Sequence, residues 1–334
     1  MVEQQSGNAM RERVVKLSAM RTVIGMVMLI VAHAAHADYP ERLIRAIVPF
    51  STGGTNDINA RMIAPHLAKT LGQQVVVENR PGAAGNIGIE VVAKSAPDGH
   101  TILFSATAST QNPALFRNLR FDPLTDIQPV AAIAEYPYAI MVNAHLPAKS
   151  VRELIALAQK NSAQLNASAG GIGTRLSVEL FRIRNNIRVE VITYNGTGQA
   201  ALALATGETQ VAISDTTPFV PFLASGRVRV LALASTRRLP TFPDTPTTAE
   251  AGLPGFVAGA TAGVYVQGKT PNNIVQTLNS TINKVTAQPD VKEQLRKQGG
   301  NAEALSVNDF TQWYRREIQT WKDIVARAKI PPVD

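Results

Sequence analysis

Short apolar runs recur along this chain with helical stretches between them, and that alternation narrows its fold more than any other feature. Runs at Leu43–Val48, Gln74–Glu78 and Thr101–Ser105 have strand length and β-branched content. Between them, Asn56–Leu71 and Asn86–Lys94 have helical spacing. The stretch "IQPVAAIAEYPYAIMVN" is extended and long enough to pass from one lobe to another, and the alternation then restarts. Strands are predicted near Leu165–Ser168, Val189–Ile192, Gln210–Ser214 and Val228–Ala234, with helices in the gaps. Ser150 and Glu153 have the spacing of a capping box and predict a helix start. "TFPDTPTTAEAGLPGF" is a loop by its Pro and Gly content. The tail from Pro271 is helical, with Thr270 as N-cap and Pro271 at the first helical position. Parallel strands need crossover helices, so this pattern predicts an α/β fold of two lobes. Such folds place a ligand in the cleft between lobes, at the carboxyl ends of strands.

The first 37 residues are predicted to stand apart from that fold. "RERVVK" and Arg21 are basic, Val23–Ala32 is a ten-residue apolar run, and Ala35 and Ala37 supply small residues before Asp38. This is the layout of a cleavable secretory signal, and the run is too short to span a bilayer. Met10 and Met20 are alternative starts. Cleavage would remove four basic and two acidic residues, lowering the formal charge from +8 to +6. The remaining Lys and Arg are scattered, with no basic block interleaved with aromatics, which argues against nucleic acid as a partner. There are no cysteines, hence no disulfide, thiol nucleophile or thiolate metal site. The expected product is an exported periplasmic protein.

Four predicted strand ends carry small or hydroxylated residues. They are "FSTGGTND" at Phe50–Asp57, "FSATAST" at Phe104–Thr110, "NASAGGIGTR" at Asn166–Arg175, and "VAISDTTP", which places Asp215 after a strand. Glycine at a strand-to-helix junction leaves first-turn amides uncovered, and such amides bind anions. The candidate ligand residues are Phe50, Thr52, Gly53, Gly54, Thr55, Asp57, Ser105, Thr107, Ser168, Ala169, Gly170, Thr174, Arg175 and Asp215. Each loop also has a plainer reading: Gly53 and Gly54 serve a tight turn, Asp215 caps the helix near Thr216, and Arg175 lies on a solvated helix face. Four or five charge-assisted hydrogen bonds of about 1.5–3 kcal/mol each, less ordering costs, match the roughly 8 kcal/mol of micromolar capture.

Catalytic chemistry is poorly provided for. Beyond the leader only His66, His100 and His145 remain, none at metal-ligand spacing with another acid or His. Ser168 has Asn166 where a nucleophile elbow needs glycine. "GVYVQGKT" at Gly263–Thr270 matches a phosphate loop by letter, but Val264, Tyr265 and Val266 are strand formers and the helix begins too late. No cofactor or metal is expected.

"YPERLIRAIVPFSTGGTND", "VENRPGAAGNIG", "APDGHTILF", "LPAKSVRELIALA", "ASAG", "TPTTAEAGLPGF" and "QPDVKEQLRKQGG" together resemble the Bug (Bordetella uptake gene) family, the periplasmic receptors of tripartite tricarboxylate transporters. The likeness runs over essentially all of Asp38–Asp334. It implies a type II-like Venus-flytrap fold that holds a small carboxylate between lobes, partly through waters. The lobes are expected at 38–137 plus 262–334 and at 138–261. Gly53, Gly54 and Asp57 match the family pattern, as do Ser168, Ala169 and Gly170. Ser51 and Thr52 replace prolines, Thr55 and Asn56 replace Gly-Thr, Arg175 stands where His is usual, and Thr261 replaces an aromatic. The implied partners are a small carboxylate and the permease subunits of such a transporter, with the receptor a monomer and not an enzyme. Two rival expectations are a loaded receptor that signals to a membrane sensor kinase, and an α/β hydrolase acting through Ser168 or Asp215.

Overall fold

The computed structural model describes residues 39–160, 165–328 and 330–332, so the leader expected at 1–37 lies outside the described residues. The first sheet contains β1 (Ile44–Val48), β2 (Val75–Asn79), β3 (Thr101–Ser105), β4 (Ile127–Pro137), β10 (Gly259–Gln267) and β11 (Asn301–Ala302), in the order β11-β4-β10-β3-β1-β2. The second contains β5 (Ala139–Asn143), β6 (Leu165–Ala169), β7 (Val189–Thr193), β8 (Val211–Ser214) and β9 (Val228–Leu233), in the order β7-β6-β8-β5-β9. In each, the strands joined through helices run parallel: β1 with β2 and β3, and β6 with β7 and β8. The strands beyond them pair antiparallel. The alternation predicted from sequence is thus present, within a residue or so at each end.

The chain crosses between sheets at Pro137–Ala139 and returns at Ala258–Gly259. Tyr138 sits at the crossing: its N–H donates to the Ala258 carbonyl at 2.8 Å and its carbonyl accepts from Ala234 N–H at 2.7 Å. Helices α1 (Thr55–Leu71), α2 (Asn86–Ala93) and α3 (Ala108–Leu115) follow strands of the first sheet. Helices α4 (Val151–Gln159), α5 (Ile172–Asn185), α6 (Thr197–Thr206) and α7 (Val220–Ala224) belong with the second, and α8 (Asn272–Thr286), α9 (Pro289–Lys297) and α10 (Val307–Arg327) form the tail. One apolar core gathers Ile47, Ile89, Leu103, Tyr265 and Phe310; another gathers Ile140, Leu154, Phe181, Ile213 and Leu253. Helix α10 also reaches α5 through Trp321, Val325, Ile172 and Leu176.

Three local expectations are adjusted. Ser150 Oγ accepts from Glu153 N–H at 3.2 Å, but the Glu153 carboxylate turns to Lys149 N–H at 2.8 Å, one residue short of the reciprocal bond of a capping box. Thr270 is not an N-cap: its hydroxyl closes a turn onto the Gln267 carbonyl at 2.7 Å, and α8 starts only after Pro271. Gly263–Gln267 is strand, with Gly263 opposite Ser105, which rules out a phosphate loop there.

A bidentate pair ties β1 to the edge strand β2. Arg45 Nε and Nη2 donate to Glu78 at 2.7 and 2.8 Å, and Arg80 adds a third bond at 3.2 Å. The Arg45 hydrogen bonds, against some desolvation and with help from Arg80, bring the Glu78 carboxyl down to about 2. A folded-state value below the ordinary 4.5 means that this contribution is intact above pH 4.5 and is lost as pH falls towards 2. Glu78→Gln is therefore expected to flatten the fall in thermal stability over that window, measured by circular dichroism melts against the unmodified protein.

Candidate functional site

Both sheets reverse strand order beside a central strand: β1 lies between β2 and β3, and β6 between β7 and β8. Helices leaving such a point depart to opposite faces and leave a crevice at the carboxyl ends of the strands. The loops after β1, β3, β6 and β8 come together around a cavity of about 40 Å³. It is lined by Phe50, Gly54, Thr55, Asn56, Ala106, Thr107, Tyr136, Tyr138, Gly170, Gly171, Thr174, Thr197, Asp215 and Ala260. That volume holds about three water molecules, so an organic acid enters only if the loops part.

Four helices open here. The cap residues are Gly54 for α1, Thr107 for α3, Gly171 for α5 and Gly196 for α6, and none of the four helices has a side-chain hydrogen bond at its cap. The first-turn amides of a helix have no acceptor within it and carry the positive end of its dipole. Glycine caps add no side chain that could compete for them. Two of these helices follow strands of the first sheet and two follow strands of the second, so the positive ends face the same small space from both sides.

The two sets of loops touch across that space. Ser51 N–H donates to the Asn195 carbonyl at 3.0 Å, and Thr55 N–H to Thr197 Oγ1 at 3.3 Å. Thr55 Oγ1 donates to Asp215 Oδ1 at 2.6 Å, and the same oxygen accepts from Thr217 N–H at 3.2 Å. Asp215 is only 4% exposed, and the hydrogen bonds its carboxylate accepts among the described residues come from neutral groups of Thr55, Ser214 and Thr217. Burial raises its carboxyl above the ordinary range, opposed by the bonds from Thr55 and Thr217. Tyr136 and Tyr138 are buried, and desolvation raises both phenols, so both are O–H donors at neutral pH. Tyr136 donates to Asn59 Oδ1 at 2.8 Å, and Tyr138 bonds the Thr107 side chain.

Of the residues singled out in the sequence, Phe50, Gly54, Thr55, Thr107, Gly170, Thr174 and Asp215 line the cavity. Thr52, Gly53, Asp57, Ser105, Ser168, Ala169 and Arg175 do not. Thr52 and Gly53 are exposed on the outside of their turn. Asp57 faces away: it accepts from Gly53 N–H at 2.9 Å, Arg61 Nε at 2.9 Å and Asn79 Nδ2 at 3.0 Å. Burial pulls its carboxyl up, but the bonds from Arg61, Gly53 and Asn79 outweigh it and leave the carboxyl below its ordinary range. Asp57 therefore shapes the loop that presents Gly54. Ser105, Ser168 and Ala169 are buried within the last residues of β3 and β6. Arg175 lies one turn into α5 and is half-buried outside the lining. The sequence reading missed Asn56, Ala106, Tyr136, Tyr138, Gly171, Thr197 and Ala260. For Thr197 a signal exists: "NGTGQ", which leads from the loop after β7 into the first turn of α6, has the same small-residue character as the four loops chosen.

The model of the family described as "Tripartite tricarboxylate transporter family receptor" matches residues 59–330. The chain belongs to that family. Among solved structures, it is similar to Rpa4515 of R. palustris with adipate, at 32% identity and a TM-score of 0.85, over 89% of this chain and 100% of that one. MatC (Rpa3494) from Rhodopseudomonas palustris with bound malate is 33% identical with a TM-score of 0.82, over 86% and 100%. The periplasmic binding protein BugD is 29% identical with a TM-score of 0.84, over 88% and 100%. The fold is thus the two-lobed one of periplasmic binding proteins, and the family and its structural neighbours are solute-binding proteins rather than enzymes.

Proposed function

We propose that this receptor captures a small carboxylate between its lobes and releases it unchanged to the membrane subunits of a tripartite transporter. The observation that carries this reading is the meeting of four helix N-termini, none with a side-chain cap bond, at one cavity. Two similar proteins were solved with adipate and malate, which supports a dicarboxylate of four to six carbons. The lobes follow the bounds expected from sequence, 38–137 plus 262–334 and 138–261, except that Gly259–Thr261 pair with β4 and so go with the first lobe; the receptor acts as a monomer in the periplasm after loss of residues 1–37.

Asp215 refines the ligand class. An ionised carboxylate in the lining repels a second one unless the ligand brings a proton donor or a bridging water. A hydroxy or amino acid supplies that donor. Isothermal titration with malate and succinate tests this: malate is expected to bind with micromolar affinity and about tenfold more tightly than succinate. Asp215→Asn is expected to reduce that preference to about twofold, since a neutral amide oxygen accepts the malate hydroxyl's bond more weakly than a carboxylate, while the lost repulsion tightens both ligands alike. Absence of binding by any four- to six-carbon dicarboxylate to folded protein, or chemical conversion of the ligand on prolonged incubation, would overturn the reading.

A further inference from the structure

A second and larger space, about 600 Å³, opens between α5, α10, the loop at 255–258 and the strand ends at Glu135 and Gly259–Thr261. It shares only Ala260 with the cavity described above. Its volume lies in the range of small-molecule sites, about 300–1,000 Å³. The walls include Trp313, Trp321, Phe256 and Leu180, and these indoles are the only two in the chain. Ile183 and Val257 stand at its rim, 48% and 60% exposed.

The polar chemistry of this groove is opposite to that of the cleft. Glu317 projects into it, and Trp321 Nε1–H donates to Glu317 Oε1 at 2.6 Å. Among the described residues no cation pairs with Glu317. Glu135 adds a second carboxylate, so the lining carries two acidic side chains against one basic one, Arg184, which is turned to the Pro254 carbonyl through Nη2. A half-buried carboxylate with one indole donor retains acceptor sites for an ammonium group, and indole faces attract cations.

We propose that the groove is a second ligand site, for a small organic cation: a primary ammonium set against Glu317, with an aromatic or branched apolar body between the indoles and Phe256. Apolar burial then supplies affinity and the carboxylates reject anions, so the two sites of one receptor select solutes of opposite charge.

Phenethylammonium is the probe and phenylacetate its comparator of similar body and opposite charge. Both tryptophans line the groove, so intrinsic fluorescence reads its occupancy. Phenethylammonium is expected to give a saturable change, with phenylacetate at least about tenfold weaker. Glu317→Gln keeps an acceptor for Trp321 yet removes the charge, and should weaken phenethylammonium about tenfold. Ile183→Arg sets a cation at the exposed rim without touching the core, and should act in the same direction; it carries the test if the first variant fails to fold. Malate titrations of both variants should match those of the unmodified protein. No saturable response, equal affinity for the two probes, or unchanged phenethylammonium affinity in the folded variants would overturn the proposal.

Discussion

Gly198→Ala is expected to weaken carboxylate binding by about tenfold to a hundredfold while leaving the melting temperature of the ligand-free protein unchanged or slightly raised. Gly198 lies in the first turn of α6, on the second sheet's side of the cleft. A Cβ there would stand 2.8 Å from the Gly53 carbonyl carbon and 2.9 Å from its oxygen, with Gly54 N at 3.1 Å. These are backbone atoms of the opposing loop and cannot swing aside as a side chain would. Within its own helix, however, alanine is favoured over glycine by up to about 1 kcal/mol. The overlap exists only when the loops meet, so its cost falls on the closed form alone. Small-angle scattering should show the variant staying extended at a ligand concentration that contracts the unmodified protein. A variant that closes and binds normally would mean that the loop contact seen here is not the ligand-holding arrangement.

Gly170→Ala should act differently, through the architecture of one lobe. Its Cβ would lie 2.3 Å from Thr197 N, 2.4 Å from Thr197 Cα and 2.6 Å from the Gly196 carbonyl carbon. Both loops hang on the second sheet, where Tyr194 N–H already donates to the Ala169 carbonyl at 2.8 Å. No lobe movement relieves this clash; the ends of β6 and β7 must separate. Overpacking of this kind costs about 3 kcal/mol, which for a chain of this size lowers the melting temperature by roughly 5 °C. The same displacement turns the first amides of α5 and α6 away from a common point, so binding should be lost as well. Calorimetric melting separates the two variants: Gly170→Ala melts early with or without ligand, whereas Gly198→Ala loses only the rise that ligand confers. A Gly170→Ala protein with normal stability would refute the close approach of these loops.

These two glycines show what the sequence made legible and what it hid. "ASAGG" could be recognised because a run of small residues at a strand-to-helix junction leaves first-turn amides uncovered, and it recurs at several strand ends. Gly170 therefore entered the candidate set, as did Gly54, Thr55 and Thr107. Its neighbours Ser168 and Ala169 entered with it and fall outside the lining, because they still belong to the buried end of β6. Tyr136 and Tyr138 were invisible as site residues. In the sequence they are two aromatics in an extended run, and only the passage of that run between sheets brings them to the cleft. Asp57 had the right position in the helix, but its carboxylate serves Gly53 and Arg61, each four residues away, and Asn79 of β2, which the local sequence does not bring near. The groove of Trp313 and Trp321 is assembled from separate segments of both lobes and has no local signature at all.

The central claim is that main-chain amides at facing helix ends hold the ligand's carboxylate. Amide-resolved nuclear magnetic resonance of the ¹⁵N-labelled protein, titrated with malate, tests it directly. The account predicts saturable changes concentrated at first-turn amides such as Asn56, Ile172, Gly173, Thr197 and Gly198, with proton shifts downfield as charged acceptors replace water. Saturable binding that leaves those amides where they were would contradict it.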